Sequence, residues 1–262
     1  WSEKFGYRCT PIMGSRGCPY NCEYCARPVF GRHYRERSPR NVVDEIEEVL
    51  KLGYERVWFS DDVFTLKRDR IMALCDEIIR RGLEFDWDCL CRVDSVDGEL
   101  FARMRAAGCR RVFFGIESGD EGVLRTMRKR FTPEDAERAV RLAKEAGIEV
   151  GTWFILGYPG ETNETMLRTL RFSTRLPSDY LSYTMPYPLP GTDLYEKVQG
   201  AMVRDEWKMA GHNILMFKGE FREAKLKFGI YKGVIQHRLR KRGFHLAADF
   251  FEVLTDPLFR IL

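Results

Sequence analysis

The feature that most constrains this chain is a pattern repeated through its middle. A helical run ends at glycine, and a strand-like run of apolar and β-branched residues follows within a few positions. EEVLKLGYERVWFS, CDEIIRRGLEFDWDCL, ARMRAAGCRRVFFGI and RLAKEAGIEVGTWFIL all read this way. Gly53, Gly82, Gly108 and Gly147 fall where helices stop, because glycine takes the left-handed turn there at no steric cost. Ser38-Pro39 and Thr132-Pro133 mark helix starts, each placing a capping hydroxyl before a proline at the first helical position. Strands alternating with helices of about 10–15 residues predict βαβ units and a parallel sheet. Six strands are expected, near 9–14, 56–60, 86–91, 111–117, 149–156 and 180–186. Such an α/β sheet lies open, as in dinucleotide-binding folds, or closes into a full or partial barrel. In either form, ligands belong at the carboxyl ends of the strands.

Beyond about residue 200 the alternation gives way to a helical period, so residues 1–199 read as the sheet domain and 200–262 as a helical extension packed on it. Leu226, Ile230, Val234 and Ile235 are the expected apolar stripe of that extension, and Phe244, Phe250 and Phe251 an apolar lip over the barrel mouth. Between Lys218 and Arg242 nine Lys/Arg stand against two acidic residues. A run of this kind is a solvated helix face or a surface for acidic lipid head groups or a phosphorylated substrate. Few stacking aromatics interleave it, which disfavours nucleic acid. No apolar run approaches the roughly 18 residues that a membrane span needs, and no signal peptide is expected. The composition, 44% hydrophobic and 31% charged, is that of a soluble globular protein. The chain opens on Trp1 rather than methionine, which leaves room for a longer protein upstream.

Eight cysteines in a long chain rich in regular pattern read as reduced thiols, some of them metal ligands, rather than as a disulfide scaffold. Three are crowded into GCPYNCEYC, as C-x3-C-x2-C at Cys18, Cys22 and Cys25. A closed zinc site needs four ligands, usually two separated pairs, and the triplet has no second pair at the usual distance. Three thiolates on one tight loop suit three irons of a 4Fe–4S cube, leaving the fourth iron for a substrate or cofactor. Cys89 and Cys91 are expected as buried apolar thiols under the helices, Cys75 and Cys109 as packing residues, and Cys9 is left open. The four histidines (33, 212, 237 and 245) have no metal-ligand spacing.

The triplet, with Tyr24 before its last cysteine, resembles the signature of radical S-adenosylmethionine (SAM) enzymes. The ordered set RCTPIMGSRGCPYNCEYC, YRERSPRNVVDEI, FSDDVFT, CRVD, FGIESGDEGVLRTMRK, FILGYPGET and PYPLPGTDLY resembles the catalytic core of the cobalamin-binding branch over roughly residues 8–196. The resemblance implies a partial (β/α)6 TIM-like barrel. It also implies a cluster whose open iron chelates the methionine part of SAM, and reductive cleavage to a 5′-deoxyadenosyl radical that abstracts hydrogen from an unactivated carbon. Cofactors carry such chemistry and the protein positions them.

Residue by residue, the resemblance makes Cys18, Cys22 and Cys25 the cluster ligands and puts Tyr24 near the adenine. Asp61 and Asp62 are then placed to meet the SAM ammonium, or else to cap the following helix. Glu117 is placed at the ribose, where a carboxylate accepts two hydroxyl hydrogen bonds, and inward-facing Glu117 sends Val112, Phe114 and Ile116 towards the helices. Lys129 matches a basic position for the methionine carboxylate, or is a surface lysine. Arg92 ends the third strand where relatives carry a polar SAM contact. Ile155, Gly157 and Met185 belong to the walls around adenine, with Gly157 and Gly160 letting the chain approach the ligand closely.

The expected activity is methylation, cyclisation or rearrangement of a lipid, tetrapyrrole or natural-product-like substrate in the cytoplasm, with flavodoxin or ferredoxin as reductant. The Asp-x-His-x-x-Gly loop that ligates cobalt in relatives is absent from this sequence, so any cobalamin would come from a domain outside it. Two alternatives stand beside this reading. One is a non-catalytic Fe–S or zinc module, in which Glu117, Lys129 and the Gly-Tyr-Pro-Gly turn do not converge on the cysteine loop. The other is the barrel fragment of a larger cobalamin-dependent methyltransferase.

Overall fold

A computed structural model describes residues 6–25, 31, 33–204 and 213–261; Trp1 and His212 lie outside them. The expected alternation is present. After β1 (Cys9–Ile12) comes a short antiparallel ribbon, β2 (Ser15–Arg16) with β3 (Arg35–Glu36), which the periodicity did not predict. Then follow α1 (Pro39–Lys51), β4 (Arg56–Phe59), α2 (Arg68–Arg80), β5 (Asp86–Cys91), α3 (Gly98–Ala106) and β6 (Cys109–Glu117). Next are α4 (Glu121–Thr126), α5 (Pro133–Glu145), β7 (Glu149–Ile155), α6 (Asn163–Arg175), β8 (Tyr180–Thr184) and α7 (Asp193–Val198). The chain ends in α8 (Glu223–Lys241) and α9 (His245–Ile261). One six-stranded sheet has the order β1-β4-β5-β6-β7-β8, with β1 to β6 paired in parallel. That sequential order is what repeated β/α units produce.

The Ser38 cap and the glycine stops work as expected. Ser38 caps α1 by accepting from the Asn41 amide at 3.2 Å, ahead of Pro39. The four stop glycines all have left-handed backbone, from φ +64° at Gly82 to +93° at Gly108. At Gly108 a Cβ would also lie 2.3 Å from the Phe85 carbonyl, so no other residue fits that turn.

Backbone contacts gather the chain into two compact units. The first comprises Trp1–Tyr20, Val29–Gly115 and Asp135–Gly151. Its core is built from Val42, Val43 and Ile46 of α1, Ile71, Leu74 and Ile78 of α2, and Leu100, Phe101 and Met104 of α3, all fully buried. Phe59, Phe64 and Trp87 form an aromatic cluster with centroids 4.6–5.4 Å apart, and the Trp87 indole donates to the Ala107 carbonyl at 2.7 Å. Arg56 and Asp88 form a buried two-pronged ion pair across β4 and β5. Cys75, Cys89, Cys91 and Cys109 are buried as expected, and burial pushes the thiols of Cys75, Cys89 and Cys109 up. Val112 and Phe114 are buried on the alternation predicted for β6.

The second unit comprises Asn21–Pro28, Ile116–Glu134 and Thr152–Leu262. Here α8 corrects the expected stripe. Leu226 is buried, but Ile230 and Val234 are only half-buried and Ile235 is 42% exposed. The covered face instead runs through Lys225, Gly229, Lys232, Gly233 and Gln236. Its two glycines let neighbours approach: a Cβ at Gly229 would lie 2.9 Å from the Phe259 ring, and one at Gly233 would lie 2.4 Å from the Tyr183 hydroxyl. Beside them, Lys232 pairs with Asp256 at 2.8 Å and Gln236 bonds Glu252 at 3.2 Å. Arg171 and Arg175 of α6 reach Glu252 at 3.2 and 3.1 Å, and Arg240 reaches Asp249 at 2.5 Å. All three acids of α9 are thus paired. The opposite face of α9 carries Leu246, Phe250, Val253, Leu258 and Ile261, all exposed. Phe244 and Phe250 are exposed and Phe251 is half-buried.

Candidate cofactor site

The three cysteines of the loop are half-buried, unlike Cys75, Cys89, Cys91 and Cys109. Among the described residues, no three His, Cys, Asp or Glu side chains are gathered as a ready-made metal site. The donor set still fits a cluster: three partly accessible thiols on one short loop, with Cys22 and Cys25 near enough to Tyr24 for their charge to raise its hydroxyl. Cys9 is half-buried on β1, its thiol raised by burial and by the Asp88 charge.

In the first unit, three expected SAM contacts serve the segment entering the loop. Asp61, fully buried after β4, accepts from the Gly14 amide at 2.9 Å and from the Ser15 hydroxyl. Burial raises its carboxyl above the usual range, opposed by those hydrogen bonds and by the Arg70 charge. Arg70, itself buried, donates to the Gly14 carbonyl at 2.8 Å. Asp62 accepts from the Gly17 amide at 2.9 Å, one residue before Cys18. Gly17 has φ +85°, and a Cβ there would lie 2.2 Å from the His33 carbonyl. Arg92 is held by Asp94 at 2.9 and 2.8 Å and stacks on the Tyr20 ring, 3.6 Å from its centroid. Tyr20 lies between Cys18 and Cys22.

In the second unit, three expected contacts come together. The Tyr24 hydroxyl donates to Glu117 Oε1 at 2.6 Å, and Lys129 Nζ donates to the same oxygen at 3.2 Å. The Lys129 and Glu117 side chains are both nearly buried, and Lys129 lies 5.6 Å from the Tyr24 and Phe131 ring centroids. Burial and the Glu117 charge hold the Tyr24 hydroxyl well above its ordinary range, so it remains a donor. Glu117 has φ +76°, so the strand's in–out alternation stops at Ile116. Left-handed backbone is strained for glutamate, and such strain clusters at functional sites.

The β7 end departs from expectation at Gly157. Its neighbouring space is filled by Leu226 of α8, which a Cβ would meet at 2.6 Å, so the missing side chain makes room for that helix. Nothing lies within 4 Å of a Cβ built at Gly160. Glu161 accepts from the Gly157 and Tyr158 amides at 2.7 and 2.9 Å, and burial pushes its carboxyl up to about 8. Ile155 packs in a buried cluster with Tyr158, Met127, Leu194 and Met216, against which Tyr24 rests. Met185 is buried, and its amide donates to Asn213 Oδ1 at 3.3 Å. Sequence reasoning missed Asn213, Arg70, Glu161, and the pair of Glu23 and Tyr158 joined at 2.6 Å.

A model of the radical SAM superfamily matches residues 12–173. The chain belongs to that superfamily. Radical SAM enzymes use a 4Fe–4S cluster and SAM, act on small molecules and need a reductant. This radical SAM chain is 35% identical over 71% of its length to an uncharacterized methyltransferase of Pyrococcus horikoshii, covering 41% of that protein. It is 30% identical over 93% of its length to an anaerobic magnesium-protoporphyrin IX monomethyl ester cyclase of Cereibacter sphaeroides, again covering 41% of the relative. The radical SAM methyltransferase TsrM of Kitasatospora setae, solved with cobalamin and a 4Fe–4S cluster, superimposes with a TM-score of 0.69 at 27% identity. That match covers 74% of this chain and 37% of TsrM. The fold is accordingly a partial-barrel α/β fold with a helical C-terminal region. The chain spans about two fifths of the length of the curated relatives it matches.

Proposed function

We propose that this chain is the core of a radical SAM enzyme that methylates or cyclises a lipid, tetrapyrrole or natural-product-like substrate, rearrangement being the remaining outcome. Cys18, Cys22 and Cys25 would hold the 4Fe–4S cluster. When bound, the cluster supplies the electron that cleaves SAM to methionine and a 5′-deoxyadenosyl radical able to abstract hydrogen from an unactivated carbon. Glu117 accepts from the ribose hydroxyls, Lys129 meets the methionine carboxylate, and Tyr24 orients Glu117. Asp61, Asp62 and Arg92 take a supporting role, fixing the chain on either side of Cys18. Ile155 and Met185 close the apolar side of the pocket.

One observation supports this reading over a purely structural metal module. Glu117, Lys129 and the Gly-Tyr-Pro-Gly turn all engage the cysteine loop, through Tyr24 and through Tyr158 on Glu23. A module that only stores a metal gives no reason for a strained glutamate sharing one oxygen between a phenol and an ammonium.

Residues 1–199 are taken as the catalytic core and 200–262 as its extension. Cobalamin, which TsrM binds, would be supplied from outside this chain. Flavodoxin or ferredoxin is the proposed electron donor and the cytoplasm the proposed compartment, a reading favoured by eight free thiols. No described helix is long and apolar enough to cross a membrane. Exposed Arg238, Lys241 and Arg242, together with the exposed apolar face of α9, favour contact with an anionic membrane surface instead. Anaerobic reconstitution with iron and sulfide, followed by reduction with SAM present, tests the proposal. Formation of 5′-deoxyadenosine or S-adenosylhomocysteine is expected; one bound zinc without acid-labile sulfide would overturn it.

A further inference from the structure

Glu23 stands between Cys22 and Tyr24, yet it is 8% exposed and tied down on every side. Its amide donates to the Met127 carbonyl at 3.2 Å, just after α4, and its carbonyl accepts from the Leu194 amide at 3.0 Å, in the first turn of α7. Its Oε2 accepts from the Tyr158 hydroxyl at 2.6 Å, and Oε1 lies 3.7 Å from Lys197 Nζ. Tyr158 is fully buried, with its ring edge-on to Tyr24 at 6.3 Å. A loop residue with no ligating role is therefore anchored to three separate elements, all inside the second unit. A buried carboxylate is a costly choice at such a place unless its hydrogen bond fixes something.

We infer that Glu23 and Tyr158 are positioning residues: their hydrogen bond holds the backbone between Cys22 and Cys25, so that these two thiols stay at the spacing a cluster needs. The tether rests on the reading of Cys18, Cys22 and Cys25 as cluster ligands and adds to it a cause for the loop's shape. A flanking residue pinned at both its amide and its carbonyl leaves Cys22 and Cys25 little freedom to move apart. The Tyr158 hydroxyl locks the side chain, the remaining freedom. Because Tyr158 follows β7, the turn expected beside SAM and the segment from Cys22 to Cys25 are held to one another inside the second unit.

The test compares iron release rather than turnover. Chains carrying Tyr158→Phe, Glu23→Ala, these two together, Glu23→Gln and Met216→Ala are reconstituted anaerobically beside the unaltered chain. Iron and sulfide are counted, and loss to a chelator is timed, with the electron paramagnetic resonance spectrum of the reduced cluster recorded before and after adding SAM. Tyr158→Phe and Glu23→Ala should each release iron about fivefold faster, the worth of one net hydrogen bond. The double variant should be little worse than either alone, since both remove the same bond. Glu23→Gln keeps an acceptor and should restore slow release. Met216→Ala loosens the apolar cluster to which Tyr158 belongs but keeps the Tyr158–Glu23 hydrogen bond, and should leave the release rate and the spectrum unchanged. Equal release from Tyr158→Phe and the unaltered chain, or equal acceleration by Met216→Ala, overturns the tether alone. An unaltered chain that takes up no iron and sulfide overturns the ligand reading as well.

Discussion

The two units handle acidic side chains at strand ends in opposite ways. After β4, Asp61 is dry and both its oxygens are spent on the Gly14 amide and the Ser15 hydroxyl. At the end of β6, one Glu117 oxygen is shared by a phenol and an ammonium, and both donors are side chains that can turn to other partners. A carboxylate that accepts from one backbone amide and one hydroxyl of its own chain holds those groups in place, and a ligand would have to compete with these internal bonds to reach it. A carboxylate held by mobile donors can exchange them for those of a ligand at small cost. Sequence position alone does not separate the two cases; both lie at the carboxyl end of a strand.

Replacing the thiols gives the largest test of that contrast. Cys22→Ala should abolish cluster uptake, while Cys89→Ala, in the dry core of the first unit, should keep full iron and sulfide, as counted after reconstitution. Next come the acids themselves. Asp61→Ala strands a buried amide and should cost about 2–4 kcal/mol of stability, read from urea midpoints. Glu117→Gln should cost less than about 1 kcal/mol yet weaken SAM retention about tenfold, followed by equilibrium dialysis of the loaded protein. A reversal of these two outcomes would break the comparison.

Glu161 sharpens it, being a scaffold acid inside the second unit. Its carboxyl is raised from 4.5 to about 8, chiefly by burial. Between those pH values the folded chain keeps a proton that the unfolded chain has lost. This group's contribution to stability is therefore full below about pH 4.5 and falls as pH rises to about 8, by up to ~1.4 kcal/mol per unit. Urea midpoints taken from pH 5 to 8 should show that slope, and Glu161→Gln should flatten it while keeping an acceptor for the Gly157 and Tyr158 amides. The smallest effect belongs to Ile235→Ser on the exposed side of α8, within about 0.5 kcal/mol by the same measurement.

The strands and helix ends were legible because alternation and glycine stops are local signals that tertiary packing here reinforces. The buried face of α8 was not, because hydrophobicity pointed to Ile235 while packing chose Gly229 and Gly233. There the absence of a side chain lets Phe259 and Tyr183 approach. Spacing of small residues four apart was the available signal, and it outweighed the apolar stripe. Gly157 shows a related effect: its missing side chain makes room for Leu226, a contact that no local pattern announced. Tyr24, Glu117 and Lys129 were named from the family motif, and the structure puts Tyr24 and Lys129 on the same oxygen of Glu117. Glu23 and Tyr158, 135 residues apart, carry no local pattern that pairs them.

The left-handed torsion at Glu117 has a consequence for redesign. A strand normally forces each position to choose one face, so changing what a pocket presents means shifting a whole register. Here one peptide unit steps out of that rule at the last residue of β6. A substitution at 117 can therefore alter the chemistry this position offers while leaving every packed partner of the strand in place, provided the newcomer tolerates that torsion. Asparagine and glycine meet this condition, and valine and isoleucine do not.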